Sequence, residues 1–352
     1  MSRRATLQTI ADVLGVSRST VSNAYNRPDQ LNPELRERIL AKAAELGYSG
    51  PDPAARRLRT GHSGVIGLLF TEALSYAFTD PAAVGFLEGL AREAEAGGSA
   101  LLLVPSPPGV DATAAVRNAV VDSLCIYSMA DEQPSVRAAL DRGLPTVIVE
   151  EPDVAGHAFV GIEDRTATRE IAEHVLGLGH RRIAVLTDRL VADEYEGPVD
   201  AAREAAATFH IGRQRLAGFR DALTAAGIDW AEVHKEERPN ELACGVDAGR
   251  VVLAATPHPT AILAATDQLA LGALQAAREL GLDVPGDVSV AGFDDVPGAA
   301  LAGLTTVRQP LLEKGVQAAR LLAELQAGLP PRRVMLPVEL VVRTSTGPPQ
   351  VS

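Results

Sequence analysis

Near its N-terminus, over residues 6–23, the chain reads Thr6-Leu-Gln-Thr-Ile-Ala-Asp-Val-Leu-Gly-Val-Ser-Arg-Ser-Thr-Val-Ser-Asn23. Apolar residues recur at helical spacing from Leu7 to Leu14, and Thr6 precedes them as an N-cap. Gly15 ends this helix, and Ser17 caps a second short helix. Two short helices joined by a glycine turn predict a helix-turn-helix, a motif that places its second helix in the DNA major groove.

The headpiece continues with a third helix and then a change of composition. The second helix spans 18–24, and Asn32 followed by Pro33 opens the third, which Gly47 ends. We therefore expect an all-α headpiece over residues 1–50. Residues 51–62 are rich in Gly, Pro, Ala and Arg, so we expect a linker there, with a helical turn or two beginning at Pro53.

The charge is distributed unevenly along the 352 residues. Residues 1–62 hold ten Lys and Arg against six Asp and Glu, a balance of +4, whereas the remainder holds 23 against 39, a balance of −16. A basic head on an acidic body agrees with nucleic-acid binding by the head alone.

Beyond the linker, short apolar runs alternate with amphipathic stretches. The predicted strands are Val65–Phe70, Ala100–Val104, Ser123–Tyr127, Thr146–Val149, Ile183–Leu186, Ala261–Ala265 and Val288–Gly292. The predicted helices include Ala83–Glu95, Arg165–Leu178, Gln214–Ala226, Ala248–Ala255, Gln268–Leu280 and Lys314–Ala327. This alternation predicts doubly wound parallel sheets, and the number of strands favours two lobes with a ligand cleft between them.

Several classes of protein fit the sequence poorly. Without a long apolar run or a signal peptide, we expect a cytoplasmic protein with no membrane association. Cys125 and Cys244 are far apart, so we expect buried thiols and no disulfide. No phosphate loop, dinucleotide fingerprint or metal-ligand spacing is present in the sequence, so we expect no enzyme activity, cofactor or metal. A sugar-binding transport protein would share the core, but the headpiece argues against it.

The opening stretch resembles that of the LacI family of bacterial repressors, and the resemblance continues almost to the C-terminus. Further motifs stand in family order: Leu46-Gly-Tyr, Leu178-Gly-His-Arg-Arg-Ile-Ala, Arg215-Leu-Ala-Gly-Phe, Ala265-Thr-Asp-Gln-Leu-Ala-Leu-Gly and Val288-Ser-Val-Ala-Gly-Phe-Asp-Asp. The resemblance implies a homodimeric repressor with a hinge helix and a two-lobed core like that of type I periplasmic binding proteins. Its implied partners are a near-palindromic operator DNA and a small-molecule effector, a sugar or similar polar metabolite.

For DNA, the resemblance places the contacts in the second helix and the linker. Arg18, Ser19 and Asn23 are the base-reading candidates, with Arg18 suited to guanine and Asn23 to adenine. The family commonly has Arg where Asn23 stands, so its operator preference does not carry over. The full set of predicted DNA-binding residues is Thr6, Ser17, Arg18, Ser19, Thr20, Ser22, Asn23, Ala55, Arg56, Leu58 and Arg59.

For the hinge helix, the resemblance gives each residue a role. Asp52 would cap the helix, and Ala55 and Leu58 would face the minor groove, where an apolar wedge bends DNA. Arg56, Arg57 and Arg59 would hold phosphates. An Arg-rich flexible tether is the alternative interpretation of the same residues.

For the effector, the resemblance points to polar side chains at the strand ends. The predicted contacts are Tyr76, Phe78, Glu150, Val160, Arg215, Asn240, Thr266, Asp294 and Gln309. Alternatively, Asp294 only caps its loop and Arg215 only pairs with a neighbouring helix. Leu74, Tyr76 and Phe78 would either stack on a ligand or pack against their own lobe, and the segment 188–213 is either a lid over the cleft or a solvated insertion.

The resemblance also divides the core, residues 63–345. It implies crossings between the lobes near Gly161, Phe293 and Ala327, which gives a first lobe of 63–160 with 294–326 and a second lobe of 161–293 with 327–345. Residues 346–352 are predicted to be a disordered tail.

Overall fold

The computed structural model describes residues 5–50 and 62–350 of the chain. The chain forms two compact units, residues 1–63 and 64–352. The first is all-helical, and the second holds two α/β lobes, each built around its own sheet.

The headpiece contains the three predicted helices, α1 (Leu7–Leu14), α2 (Arg18–Asn26) and α3 (Pro33–Glu45). Gly15 adopts a positive φ of 66° between the first two helices, a conformation that glycine reaches without a steric penalty. The small core between the helices consists of Ile10, Ala11, Val21, Ala24, Ile39 and Ala43. The helix-turn-helix prediction is confirmed, with α2 extending two residues beyond its predicted end.

The first lobe is built on a six-stranded parallel sheet with the strand order β12-β5-β4-β3-β1-β2. Its strands are β1 (Val65–Phe70), β2 (Ala100–Pro105), β3 (Ser123–Tyr127), β4 (Thr146–Val149), β5 (Ala158–Gly161) and β12 (Arg333–Met335). Its helices are α4 (Pro81–Ala96), α5 (Thr113–Asn118), α6 (Pro134–Leu140) and α13 (Leu311–Gln326). Fully buried apolar side chains line both faces of the central strands, as expected for a doubly wound sheet.

The second lobe is built on a seven-stranded sheet with the order β13-β11-β10-β9-β6-β8-β7, whose two edge strands are antiparallel. Its strands are β6 (Ile183–Thr187), β7 (Gly197–Pro198), β8 (His234–Glu237), β9 (Ala261–Ala264), β10 (Ser289–Asp294), β11 (Thr305–Arg308) and β13 (Glu339–Val341). Its helices are α7 (Asp164–Gly177), α8 (Ala201–Ala205), α9 (His210–Ala225), α10 (Leu242–Leu253), α11 (Asp267–Glu279) and α12 (Pro297–Leu301).

Two of the predicted lobe boundaries are wrong. β11 pairs in parallel with β10, so the second lobe continues through Arg308 and the chain does not cross near Phe293. β12 pairs with β5 of the first lobe, so the return crossing follows Met335 and does not lie near Ala327. Backbone pairing of these short strands decides the boundaries, and their sequences do not stand out as apolar runs.

The end of the chain also differs from the predicted disordered tail. The imidazole of His174 hydrogen-bonds to the Thr346 hydroxyl at 3.1 Å, and that of His180 bonds to the Gly347 carbonyl at 2.8 Å. The Gly347 N–H donates to the Ser289 hydroxyl at 3.0 Å. These bonds fix residues 346–347 against the second lobe.

Candidate functional site

The hydroxyl groups at the starts of the headpiece helices are engaged with the helix backbone. The Thr6 hydroxyl accepts a hydrogen bond from the Thr9 N–H at 3.2 Å, and the Ser17 hydroxyl accepts one from the Thr20 N–H at 3.0 Å. Ser17 Oγ also lies 2.7 Å from the hydroxyls of Ser19 and Thr20. These groups therefore stabilise the ends of α1 and α2, whatever else they contact.

The start of α2 presents a polar surface. Arg18 and Ser19 are exposed, and Thr20, Ser22 and Asn23 are half-buried. Ser22 accepts a hydrogen bond from the Asn26 side-chain amide at 3.1 Å, so its hydroxyl is occupied within the helix. Arg18, Ser19 and Asn23 thus lie on the helix that the motif uses for base readout. The predicted hinge residues Ala55, Arg56, Arg57, Leu58 and Arg59 lie outside the described residues.

A cleft lies between the two lobes of the core, at the carboxyl ends of the parallel strands, where doubly wound sheets bind their ligands. Both lobes contribute, and apolar and charged side chains alternate around it. Its lining consists of Leu68, Phe70, Thr71, Glu72, Tyr76, Ala77, Asp80, Ala82, Ala83, Leu87, Tyr127, Ser128, Glu150, Glu151, Asp188, Arg189, Phe209, Ile211, Gly212, Arg215, Asn240, Thr266, Asp294 and Gln309.

Most of the side chains predicted to contact an effector line this cleft, and two do not. Val160 is fully buried within β5, where it packs in the core of the first lobe. Phe78 is 64% exposed and lies outside the cleft, and Leu74, also exposed, does not line it either. Those placements are wrong because the alternation of a strand and the turn of a 3₁₀ helix (Tyr76–Phe78) direct neighbouring side chains to different sides.

Arg215, on α9, is almost fully buried at the back of the cleft. Its guanidinium donates to the Asp164 carboxylate at 2.9 Å and to the Ala265 carbonyl at 2.7 Å. It lies 3.7 Å from Asp294 and stacks on the Phe293 ring at 4.0 Å. Arg215 therefore pairs with a neighbouring helix, α7, and lines the cleft at the same time.

Asp294 is the last residue of β10, with a φ of 123°, and is 4% exposed. The N–H of Val296, in the loop beyond, donates to Asp267 at 2.9 Å, so Asp267 secures that loop. Burial raises the pKa of Asp294 well above its ordinary value, although Arg215 acts against the shift. Asp267, and not Asp294, therefore caps the loop after β10.

A chain of buried polar groups continues from Asp294 into the first lobe. The Gln309 amide donates to Asp294, and the Lys314 ammonium contacts both Gln309 and Glu150. Lys314, on α13, is only 1% exposed, so its charge depends on these partners. The network joins the end of β4 in one lobe to the end of β10 in the other.

Direct contacts hold the two lobes together around the cleft. Arg189 forms an ion pair with Glu72, and the Asn240 amide donates to the Tyr76 hydroxyl at 2.9 Å. On the other side, the Ile211 N–H donates to Glu151 at 3.0 Å. Arg213 pairs with Asp131 at 2.7 Å, and the Asp131 N–H donates to the Thr208 carbonyl. The structure therefore has the lobes in contact, with the cleft between them.

Several cleft residues were not predicted from the sequence, although their position in the fold is informative. Thr71 directly follows β1 and Asp188 directly follows β6, and both point into the cleft. Thr71 Oγ1, Asp188 Oδ1 and Asn240 Oδ1 are buried and have no hydrogen-bond partner among the described residues. Buried polar atoms are normally paired, so these three are free to bind polar groups of a ligand.

Carboxylates dominate the charge of the cleft. The lining holds six acidic side chains, those of Glu72, Asp80, Glu150, Glu151, Asp188 and Asp294. The basic side chains in the lining are those of Arg189 and Arg215, and both are already paired with carboxylates. Such a site offers many hydrogen-bonding oxygen atoms to hydroxyl groups, and neither arginine of the lining is uncommitted for an anion.

The chain shares its sequence organisation with known regulators. Residues 6–50 match the family described as bacterial regulatory proteins, lacI family, and residues 172–346 match the periplasmic binding protein-like domain. The chain is 48% identical to the HTH-type transcriptional regulator Rv3575c of Mycobacterium tuberculosis, covering 99% of this chain and 98% of that protein.

Solved structures with the same fold include regulators bound to DNA and to a sugar. The lac repressor dimer bound to operator and the anti-inducer ONPF is 29% identical with a TM-score of 0.78, covering 98% of this chain and 100% of that one. The CelR–cellobiose complex is 28% identical with a TM-score of 0.71, covering 97% and 100%. Among the described helices of the present chain, none is long and apolar enough to cross a membrane.

Proposed function

Because the chain belongs to the LacI family of bacterial regulatory proteins, we propose that it represses transcription as a homodimer on a near-palindromic operator. A small, uncharged, polyhydroxylated molecule in the cleft would control that binding. The observation that carries this proposal is the lining of the cleft, which combines an excess of acidic side chains with three buried polar atoms that have no hydrogen-bond partner in the part of the chain that the structure describes.

The chemistry of the lining defines the class of effector. Carboxylates and the Arg215 guanidinium bind vicinal hydroxyls through charge-assisted hydrogen bonds. A phosphate or carboxylate ligand would find acidic side chains and two arginines already paired with carboxylates, so the lining offers it no uncommitted cation. The bound sugar in the CelR complex supports the same class, since that ligand is neutral and rich in hydroxyls.

At the DNA end, the start of α2 carries the proposed readout. Arg18 would bind a guanine edge and Asn23 an adenine edge, each contributing about 1–3 kcal/mol of discrimination when bidentate. Ser19 would contact bases, and Thr6, Ser17, Thr20 and Ser22 would contact phosphates. Ala55, Arg56, Leu58 and Arg59 complete the proposed interface in the minor groove.

Control follows from the contacts that join the lobes. A ligand shifts a conformational equilibrium only by its difference in affinity for the two states. A molecule that bonds to Asn240 on one lobe and Glu150 on the other favours the arrangement in which both lobes reach it. That arrangement would change the spacing of the two headpieces in the dimer and so the affinity for the operator.

Two measurements test the proposal. Gel retardation with fragments of the genome that encodes the chain should select a few fragments whose binding weakens steeply with salt. Thermal unfolding with ribose, glucose, cellobiose, ribose 5-phosphate and glucose 6-phosphate should show stabilisation by a neutral sugar, because ligands that bind the folded state raise its melting temperature. Stabilisation by the phosphate esters alone would contradict the effector class, and uniform retention of all fragments would contradict a specific regulator.

A further inference from the structure

The segment between β6 and α9 is anchored in the second lobe, with an exposed stretch at 194–196. β7 pairs antiparallel with β8, and the Val199 N–H donates to the Lys235 carbonyl at 2.9 Å. Leu190 is fully buried in the core of the second lobe, and Val199 and Ala207 pack in the same core. The segment is thus a structured extension of the sheet, with Asp188 and Arg189 at its start in the cleft.

A buried ion pair fastens this segment to the sheet. Arg203 donates two hydrogen bonds to Glu237, each of 2.7 Å, and two to Asp193, of 2.7 and 2.8 Å. Its guanidinium also stacks on Tyr195, 4.4 Å from the ring centre. Bidentate pairs of this kind have a fixed geometry, so Arg203 ties the loop at Asp193 to Glu237 of β8.

Glu237 connects this ion pair to the cleft. It is fully buried in β8, and its carboxylate accepts the N–H of Leu190 at 2.8 Å. Leu190 stands two residues after Asp188, so the bond fixes the backbone where the chain leaves the sheet. A buried glutamate with three N–H donors is well satisfied as a carboxylate, and loss of any donor would disturb that backbone.

We propose that residues 188–209 form the specificity element of the cleft, in which the Asp188 carboxylate accepts hydrogen bonds from effector hydroxyls. Arg203 and Glu237 act as positioning residues, since they reach the ligand only through the backbone they hold. This inference rests on the proposed function, because it names the residue through which the same cleft selects a neutral polyol.

The surroundings of Asp188 support a direct role. Its Oδ1 is buried without a partner among the described residues, whereas its neighbour Arg189 is committed to Glu72. The charged groups that act on Asp188 include Arg215, Arg189, Glu237 and Glu151. Burial raises the pKa of Asp188 to about 6, against the lowering by the two arginines, so it is mostly ionised at neutral pH. An ionised acceptor favours hydroxyl donors and disfavours phosphate.

The direct role is tested by isothermal titration of the full chain and of Asp188→Asn with ribose, glucose, cellobiose, ribose 5-phosphate and glucose 6-phosphate. We expect Asp188→Asn to weaken neutral-sugar binding roughly 10- to 100-fold, the range for a hydrogen bond to a charged group. We also expect the ratio of the Kd for a phosphate ester to the Kd for its parent sugar to fall. Asp221→Asn is the matched control, because Asp221 pairs with Arg165 at the surface.

The positioning role is tested with Arg203→Ala, Arg203→Lys and the control Arg250→Ala, whose arginine forms exposed ion pairs with Asp247 and Glu279. We expect Arg203→Ala to speed amide hydrogen exchange over residues 188–193 and to narrow the preference for sugar over ester, while binding to the selected DNA fragment is retained. Arg203→Lys should restore part of the slow amide exchange and part of the preference for sugar over ester. The control should change neither property.

The outcomes separate the two proposals. Neutral-sugar binding that survives Asp188→Asn with unchanged preference would overturn the role of Asp188 and leave the proposed function standing. Failure of the wild-type chain to bind any of the three neutral sugars would contradict the proposed effector class and the role of Asp188 together. Unchanged exchange over residues 188–193 in Arg203→Ala would overturn the positioning role in either case.

Discussion

Polar side chains of the headpiece lie at its surface and bond mainly to their own helix, whereas those of the cleft are buried and bond to one another across two lobes. Ser17 caps the backbone of α2 beside the exposed Arg18. Arg215, by contrast, is 4% exposed and bonds to two other elements. Function and stability should therefore be separable in the headpiece and coupled in the cleft.

The largest effect is expected at Arg215. Replacing it in Arg215→Ala leaves Asp164 and Asp294 without their cation in a buried site, which should lower the free energy of unfolding by about 3–5 kcal/mol. It should also abolish neutral-sugar binding. Chemical denaturation of the full chain measures the loss, with Arg250→Ala, which removes exposed ion pairs, expected to lose under about 1 kcal/mol. Equal small losses in the two variants would show that the cleft is not coupled to stability.

The headpiece should behave in the opposite way at Arg18. Arg18→Ala should cost about 1–3 kcal/mol of binding to the selected DNA fragment, with no change in melting temperature, because the side chain is exposed. Competition gel retardation against random DNA gives the specific component. Arg38→Ala, an exposed arginine on α3, removes the same charge and should affect specific and random DNA alike. A specific loss in Arg38→Ala as large as that in Arg18→Ala would remove the base-reading role.

Sugar binding in the cleft should also depend on pH, because an acidic group there titrates near neutral pH. As the pH falls through about 6, Asp188 gains a proton and loses strength as an acceptor, so the Kd for a neutral sugar that binds the cleft should rise by up to about tenfold between pH 7.5 and pH 5. Burial also raises the pKa values of other acidic groups, but these groups are present in wild type and in Asp188→Asn alike: Glu72, Asp80, Glu151, Asp267 and Asp294. Titration calorimetry should show a flatter profile for Asp188→Asn, and parallel profiles would count against the assignment.

The smallest effect is expected at the first helix cap. Thr6→Ala removes the acceptor for the Thr9 N–H and should destabilise the headpiece by about 1 kcal/mol. Thr6→Ser should restore most of that stability, because serine supplies the same hydroxyl. Amide exchange of residues 7–14 measures the change, and exchange identical to wild type would show that the cap contributes nothing.

The headpiece could be predicted almost residue by residue, since caps, a glycine turn and helical spacing are local signals. The two-lobed core also followed from the alternation of apolar runs with helices. β8 was missed because it reads His234-Lys-Glu-Glu237 and has no apolar run, although three of its four side chains are buried by ion pairs and hydrogen bonds. Such a strand can be identified only from its tertiary contacts.

The cleft shows the same limit. Arg215, Asp294 and Gln309 could be placed from the resemblance to a family, but Val160 could not, because β5 packs its side chains in the core of the first lobe on both faces. Asp188 and Lys314 carried no local signal. The backbone after Asp188 is held by the bond from Leu190 to Glu237, 47 residues away, and Lys314 contacts Glu150, 164 residues away.

The central claim is that a neutral molecule in the carboxylate-lined cleft controls the DNA affinity of the headpiece. Gel retardation of the selected fragment, with and without ribose, glucose, cellobiose, ribose 5-phosphate and glucose 6-phosphate, tests it most directly. We expect at least one neutral sugar to change the Kd for the fragment, in wild type and not in Arg215→Ala, and the phosphate esters to leave it unchanged. A change caused by a phosphate ester, or the same change in both proteins, would contradict it.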